Sequence, residues 1–221
     1  MASIRGIEDL LRGRGAFDPA LPRIPVRHLV LLFVFFGFAY GTVMGSYAAR
    51  PMQMFYSGLK VPLLLGIATG VCLLNFFVVN SLLGLREDFG LALRAILTAQ
   101  AAVAVSLAAF IPVTAFFYAS LPDASDSYPT AIAANGLIFL VASLGGQLAL
   151  NRAYGVLVRR NPRHRHARAA WLGLYVFVAI QLAWTLRPFI GDPGKSTGFL
   201  REGAWGNAYV ELARLLRALL G

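Results

Sequence analysis

Residues 28–47, 61–84, 95–120, 131–150 and 169–186 form five long apolar stretches with scarcely a charge inside any of them. A hydrocarbon core about 30 Å thick takes about 20 residues of helix to cross, and each stretch is long enough. The expected fold is an all-α polytopic membrane bundle of five transmembrane helices, with peripheral amphipathic helices at both ends. Residues 1–26 form a cytoplasmic amphipathic segment in this reading, residues 27–186 the transmembrane domain and residues 187–221 an extracytoplasmic tail.

With 58% apolar and 14% charged residues in a chain of 221, little remains for a separate soluble domain. The formal charge of +10 raises the question of nucleic acid, but the basic residues sit in flanks and loops rather than on a groove-reading element. There they orient helices and touch anionic lipid. The single cysteine, Cys72, lies inside the second stretch, forms no internal disulfide and reads as a small core hydrophobe. The first stretch is expected to stay uncleaved, because it exceeds a signal peptide's apolar region and comes after a long segment of mixed charge.

Ile4, Ile7, Leu10 and Leu11 fall at helical spacing, with Arg5, Glu8, Asp9 and Arg12 between them, which predicts a short amphipathic helix on the membrane face. Gly13 and Gly15 end it, and Pro19, Pro22 and Pro25 keep the chain extended up to the first span. With the N-terminus inside, thirteen Lys and Arg residues fall on the cytoplasmic side and seven on the other. The sign favours a cytoplasmic N-terminus and an extracytoplasmic C-terminus. In this count Lys60 belongs to an outer loop, and the acidic hairpin 121–126 fits the same side.

Beyond Arg187-Pro188, Gly191-Asp192-Pro193-Gly194 reads as a turn. From Trp205 onward an apolar stripe through Tyr209, Leu212, Leu216 and Leu219 predicts an interfacial helix over about 205–220, too short and too charged for a sixth span. Arg187, Trp205, Tyr209, Leu212 and Leu216 are the candidate docking residues of this tail.

Gly37, Gly41 and Gly45 recur every four residues on the first span, and Gly66 and Gly70 repeat the spacing on the second. Such strips let another helix approach closely, within the chain or between protomers. Six amides, Asn75, Asn80, Gln100, Asn135, Gln147 and Gln181, lie inside spans and are expected to face the bundle interior, since polar groups in lipid need partners. They hydrogen-bond between helices, or they line a polar pocket for a headgroup or small solute.

The absences narrow the function. No Asp, Glu, Lys or His falls near the middle of a stretch, as ion-coupled transport normally needs. No histidine pair suits a membrane haem, and no nucleophile with a base or pair of aspartates suits intramembrane proteolysis. His164 and His166 lie among Arg159, Arg160, Arg163, Arg165 and Arg168 without a carboxylate or thiol close in sequence. That segment reads as a solvated basic loop facing anionic lipid rather than a metal site. No catalytic residue, metal or cofactor is expected.

The plan of spans two to four, with Leu-Leu-Gly-Leu-Arg-Glu-Asp-Phe at residues 82–89 leading into the third, resembles bacterial Yip1-like membrane proteins. The resemblance implies a membrane-organising or interaction role and supplies no site residues. The expectation is a non-catalytic scaffold or accessory subunit of a larger assembly in the bacterial inner membrane. The alternative is a passive carrier or lipid-handling protein with an amide-lined interior. Expected partners are anionic headgroups on the cytoplasmic face and other membrane subunits or a second copy of the chain, without nucleic acid.

Overall fold

The structure is a computed structural model and describes residues 4–17, 25–121, 126–201, 204, 206–210 and 217. Among these residues it is helical and without strands: α1 (Ile4–Arg12), α2 (Val26–Met44), α3 (Pro51–Leu82), α4 (Phe89–Ala109), α5 (Ile111–Ser120), α6 (Tyr128–Arg160) and α7 (His164–Thr185). Short 3-10 turns occupy Gly15–Phe17 and Arg86–Asp88. Five helical units, with α4 and α5 counted as one, are long and apolar enough to cross a membrane. The chain is a multi-pass membrane protein.

The helices outrun the apolar stretches. α3 has 32 residues and α6 has 33, each about 50 Å long, well beyond a hydrocarbon core of about 30 Å. A charge ends an apolar run but not a helix, whose hydrogen bonds are local; geometry and caps end it. Thus α3 begins at Pro51, where a first-turn proline is tolerated. It stops at Leu82, with Gly84 at φ 72° just past the end. The third span is interrupted at Phe110, because Pro112 has no N–H to continue the ladder.

α4 is the central element. Of its span's most apolar window, 56% is buried, against 11% for α7. Buried alanines (Ala92, Ala95, Ala99, Ala101, Ala102 and Ala104) let neighbouring helices close on it. It packs against α2 and α6, while α3 packs against α2 and α7. The α1 end of the bundle carries α1, the 83–88 turn and the α6–α7 turn. The opposite, tail end carries the 45–50 loop, the α5–α6 connection and the segment after α7.

α1 forms as the spacing predicts, and Gly13 comes after it at φ 63°. Its apolar stripe is spent on protein, however, rather than on lipid alone. Leu10 and Phe17 are buried against Leu29 and Leu32 of α2 and Ala101 and Val105 of α4. Arg152 holds the helix end by donating to Leu11 O at 2.6 Å. A cavity of about 10 Å³, the size of one water, remains beneath it.

The glycine strip of α2 faces α3 of the same chain. A Cβ at Gly41 would collide with the backbone of Ser57 and Gly58, and one at Gly45 would lie 2.7 Å from Gln53 O. At Gly37 it would meet Pro62 at an ordinary 3.5 Å. On α3, Gly66 rests against the Phe33 ring, whereas Gly70 is exposed with open space before it. The first strip is therefore an internal seam, and Gly70 is not part of it. Gly41→Leu should destabilise the monomer by about 1–3 kcal/mol through overpacking, read as a lowered unfolding temperature in detergent. Gly70→Leu should leave that temperature unchanged.

Candidate functional site

Gln53, Ser57 and Lys60 stand at i, i+4 and i+7 on α3, the spacing of one helix face. All three are fully or almost fully buried. What buries them is the chain after α7, which folds back over the tail end as a cap. Gln53 Nε2 donates to Phe189 O at 3.0 Å and to Pro188 O at 3.3 Å, and Ser57 Oγ donates to Phe189 O. Lys60 Nζ donates to Pro188 O at 2.5 Å and lies 5.1 Å from the Phe199 ring centre and 6.0 Å from that of Phe189. Gly191 sits so close to Gln53 that a Cβ would come within 2.9 Å of Cγ.

Lys60 corrects two expectations. It belongs to a span rather than a loop, about 14 Å along α3. It is also an ionisable group fully buried where none was expected. No carboxylate pairs with it among the described residues; one carbonyl and two aromatic faces hold its charge. A buried ammonium without a counter-ion is expensive, and such residues in membrane helices mark functional places.

The rim of the cap is cationic as well. Arg50 donates to Pro193 O at 2.6 Å, Lys195 O at 2.5 Å and Asp192 O at 3.4 Å, so one guanidinium gathers three carbonyls of the turn. Asp192 closes that turn by accepting from Gly194 N at 2.9 Å and pairing with Lys195 at 3.2 Å. The Gly194 N–H, then Lys195, hold its carboxyl below the usual aspartate range. Its stabilisation of the turn is complete above that usual range and is lost as the pH falls through the lowered value. Trp184 carries two guanidiniums over its ring, Arg187 at 3.3 Å and Arg201 at 4.7 Å from the centre. Arg201 N donates to Arg187 O at 3.2 Å, which brings the two ends of the cap together.

The six amides do not share one pocket. Asn135 is buried and central to a relay: Tyr40 O–H donates to its Oδ1 at 2.9 Å, and its Nδ2 donates to the phenolic oxygen, Oη, of Tyr118 at 2.7 Å. Tyr118 O–H in turn donates to Met44 O at 3.1 Å. Gln100 is buried and accepts from Tyr175 O–H at 3.1 Å. Asn80 is buried near the α1 end and donates to Phe76 O. Gln147 is half-buried. Asn75 departs from the expectation of an interior position: it is exposed on α3 and returns its Nδ2 to Val71 O at 3.4 Å, which answers its polarity within the helix itself. Gln181 faces the tail, donating to Gly206 O at 3.1 Å and accepting from Ala208 N at 3.0 Å.

The tail residues divide in the same way. Arg187 is part of the cap, not of a free surface. Tyr209 stacks on Phe177 of α7 with ring centres 4.6 Å apart and donates to Phe177 O at 2.5 Å, so it is engaged within the chain. Ala208 to Val210 are helical, whereas Trp205, Leu212 and Leu216, and most of the expected 205–220 helix, lie outside the described residues.

At the α1 end Arg159, Arg160, Arg163 and Arg165 are exposed, but Arg159 and Arg160 close α6 and Arg165 lies in α7, so of the four only Arg163 sits in the turn between helices where a loop was expected. His164 is not solvated. It is fully buried, with Nε2 3.1 Å from Asp88 Oδ2, and Arg160 lies 3.7 Å from the other oxygen of that carboxylate. The carboxylate absent from its sequence surroundings arrives from the 86–88 turn, 76 residues earlier. This pair fastens the α6–α7 turn to the α3–α4 turn.

No protein-family model, curated protein or solved structure matches the chain.

Replacing Lys60 by Met should leave the bundle folded, since an apolar side chain suits the site, while loosening the cap. Amide hydrogen exchange at residues 189–191 should rise about tenfold, the equivalent of one charge-assisted hydrogen bond. Unchanged exchange would mean that Gln53, Ser57 and Arg50 hold the cap without it. Asp88→Ala should lower the unfolding temperature through a loss of about 1–3 kcal/mol by stranding His164, and Asp88→Asn, which keeps an acceptor, should lower it less.

Proposed function

We propose that the chain is a non-catalytic scaffold or accessory subunit of a larger assembly in the bacterial inner membrane. The observation that carries this reading is that its central amides are taken up in hydrogen bonds between helices. Tyr40, Asn135 and Tyr118 answer one another across α2, α5 and α6, and Gln100 answers Tyr175 across α4 and α7. Interior amides that are consumed in holding helices together are not a lining for a solute, and what remains for function is the exterior. The resemblance of residues 82–89 and their flanking spans to bacterial Yip1-like proteins points the same way, towards interaction rather than chemistry. The partner in this reading is another membrane subunit or a second copy of the chain, met through the tail end.

The orientation that accompanies it puts the α1 end, with its exposed arginines, in the cytoplasm. A cysteine introduced at Ser196 should then react with a membrane-impermeant thiol reagent in intact cells, and one at Arg163 only after lysis. Labelling at Arg163 in sealed cells would reverse the orientation. For the role itself, the full chain extracted in mild detergent should carry a stoichiometric partner or second copy in a native mass spectrum. Truncation after Gly203 should release it. A monodisperse monomer from the full chain would sink the scaffold reading.

A further inference from the structure

We infer that the tail-end cap holds a binding site for a phosphate-bearing anion, built on Arg201 and Trp184. The first ground is electrostatic. Five basic residues, Arg50, Lys60, Arg187, Lys195 and Arg201, are gathered by the cap and the end of α3 against which it lies. The acids described at this end are Asp126 and Asp192, and Asp192 is already taken by Lys195 and the Gly194 N–H. Arg50 is occupied by three carbonyls, Lys60 by Pro188 O and Arg187 by Trp184 O, and no carboxylate pairs with Arg201 among the described residues.

The second ground is independent of charge counting. Trp184 Nε1 and Arg201 Nε are both buried and have no acceptor among the described residues. Donors stranded in this way forfeit their hydration with nothing in return, and these two share a ring: the Arg201 guanidinium lies over the Trp184 indole. What both donors lack is an oxygen, and what the site lacks is negative charge. A phosphate group supplies both, with several acceptor oxygens for a forked guanidinium and an indole N–H. Stacking on Trp184 fixes the guanidinium plane, which favours planar two-point recognition.

The same chemistry is offered by a lipid headgroup and by soluble phosphate, and the two are separable. Full-length protein in a neutral mild detergent would be titrated with phosphatidylglycerol and read by native mass spectrometry, with and without millimolar inorganic phosphate. One tightly retained lipid is expected. Arg201→Gln should weaken its retention about tenfold, the loss of a charge-assisted contact. Trp184→Phe, which removes only the N–H and part of the ring, should weaken it less and covers the case in which Arg201→Gln fails to fold. Arg27→Gln removes one exposed charge from the opposite end and should change nothing. Retention that inorganic phosphate leaves intact supports a lipid headgroup as the source; competition by phosphate supports a soluble one. No retained anion on the wild-type chain, equal retention by wild type and Arg201→Gln, or an equal loss in Arg27→Gln would overturn the site.

Discussion

Position 41 carries no side chain, and because of that the backbone of α2 rests directly on the peptide groups of Ser57 and Gly58. In lipid, where helices gain little from apolar contrast, such a close approach is what draws two of them together. Its place along α3 matters as much as its tightness. The turns of α3 that meet Gly41 and Gly45 also carry Gln53, Ser57 and Lys60, and the Ser57 side chain lies against Gly45 itself. The seam with α2 thus fixes the platform on which the cap is laid. Moving α3 outward by one side chain would carry the Lys60 ammonium and its two amide and hydroxyl neighbours away from the carbonyls of Pro188 and Phe189.

The two ends of the bundle solve one problem with opposite charges. At the tail end a buried cation is satisfied by backbone carbonyls and aromatic faces from the segment after α7. At the α1 end a buried histidine is satisfied by the carboxylate of a turn between α3 and α4. Both contacts tie an irregular stretch to a long helix, where loops would otherwise be held only by water and headgroups. Between them most of the interior is apolar, and its central amides pair across helices.

The five spans, the short α1 and its glycine stop were legible in the sequence because each depends on nearby residues: apolar length, helical spacing, a glycine with positive φ. What escaped depends on distant ones. His164 looked solvated because its neighbours in sequence are arginines, while its partner is on another turn. Lys60 looked like a loop residue because it interrupts an apolar run. The spacing of Gln53, Ser57 and Lys60 is that of one helix face, and this was the available signal, but nothing nearby in sequence announces the carbonyls that cover it. Asn75 shows the reverse error: an amide in an apolar helix can turn back on its own backbone and remain outside.

The partners of Lys60 lie 128 residues further along the chain. At a synthesis rate of about 5–20 residues per second, roughly 6–26 s separate the emergence of the lysine from that of Pro188. Throughout that interval α3 exists without its cap, and an ammonium cannot stay inside hydrocarbon unanswered. Its four-carbon stem lets it reach the headgroup layer until the last helix is in place. The final burial of Lys60 therefore waits on the last helix: a chain that ended before Pro188 would keep a membrane helix whose ammonium has lost the carbonyl that receives it.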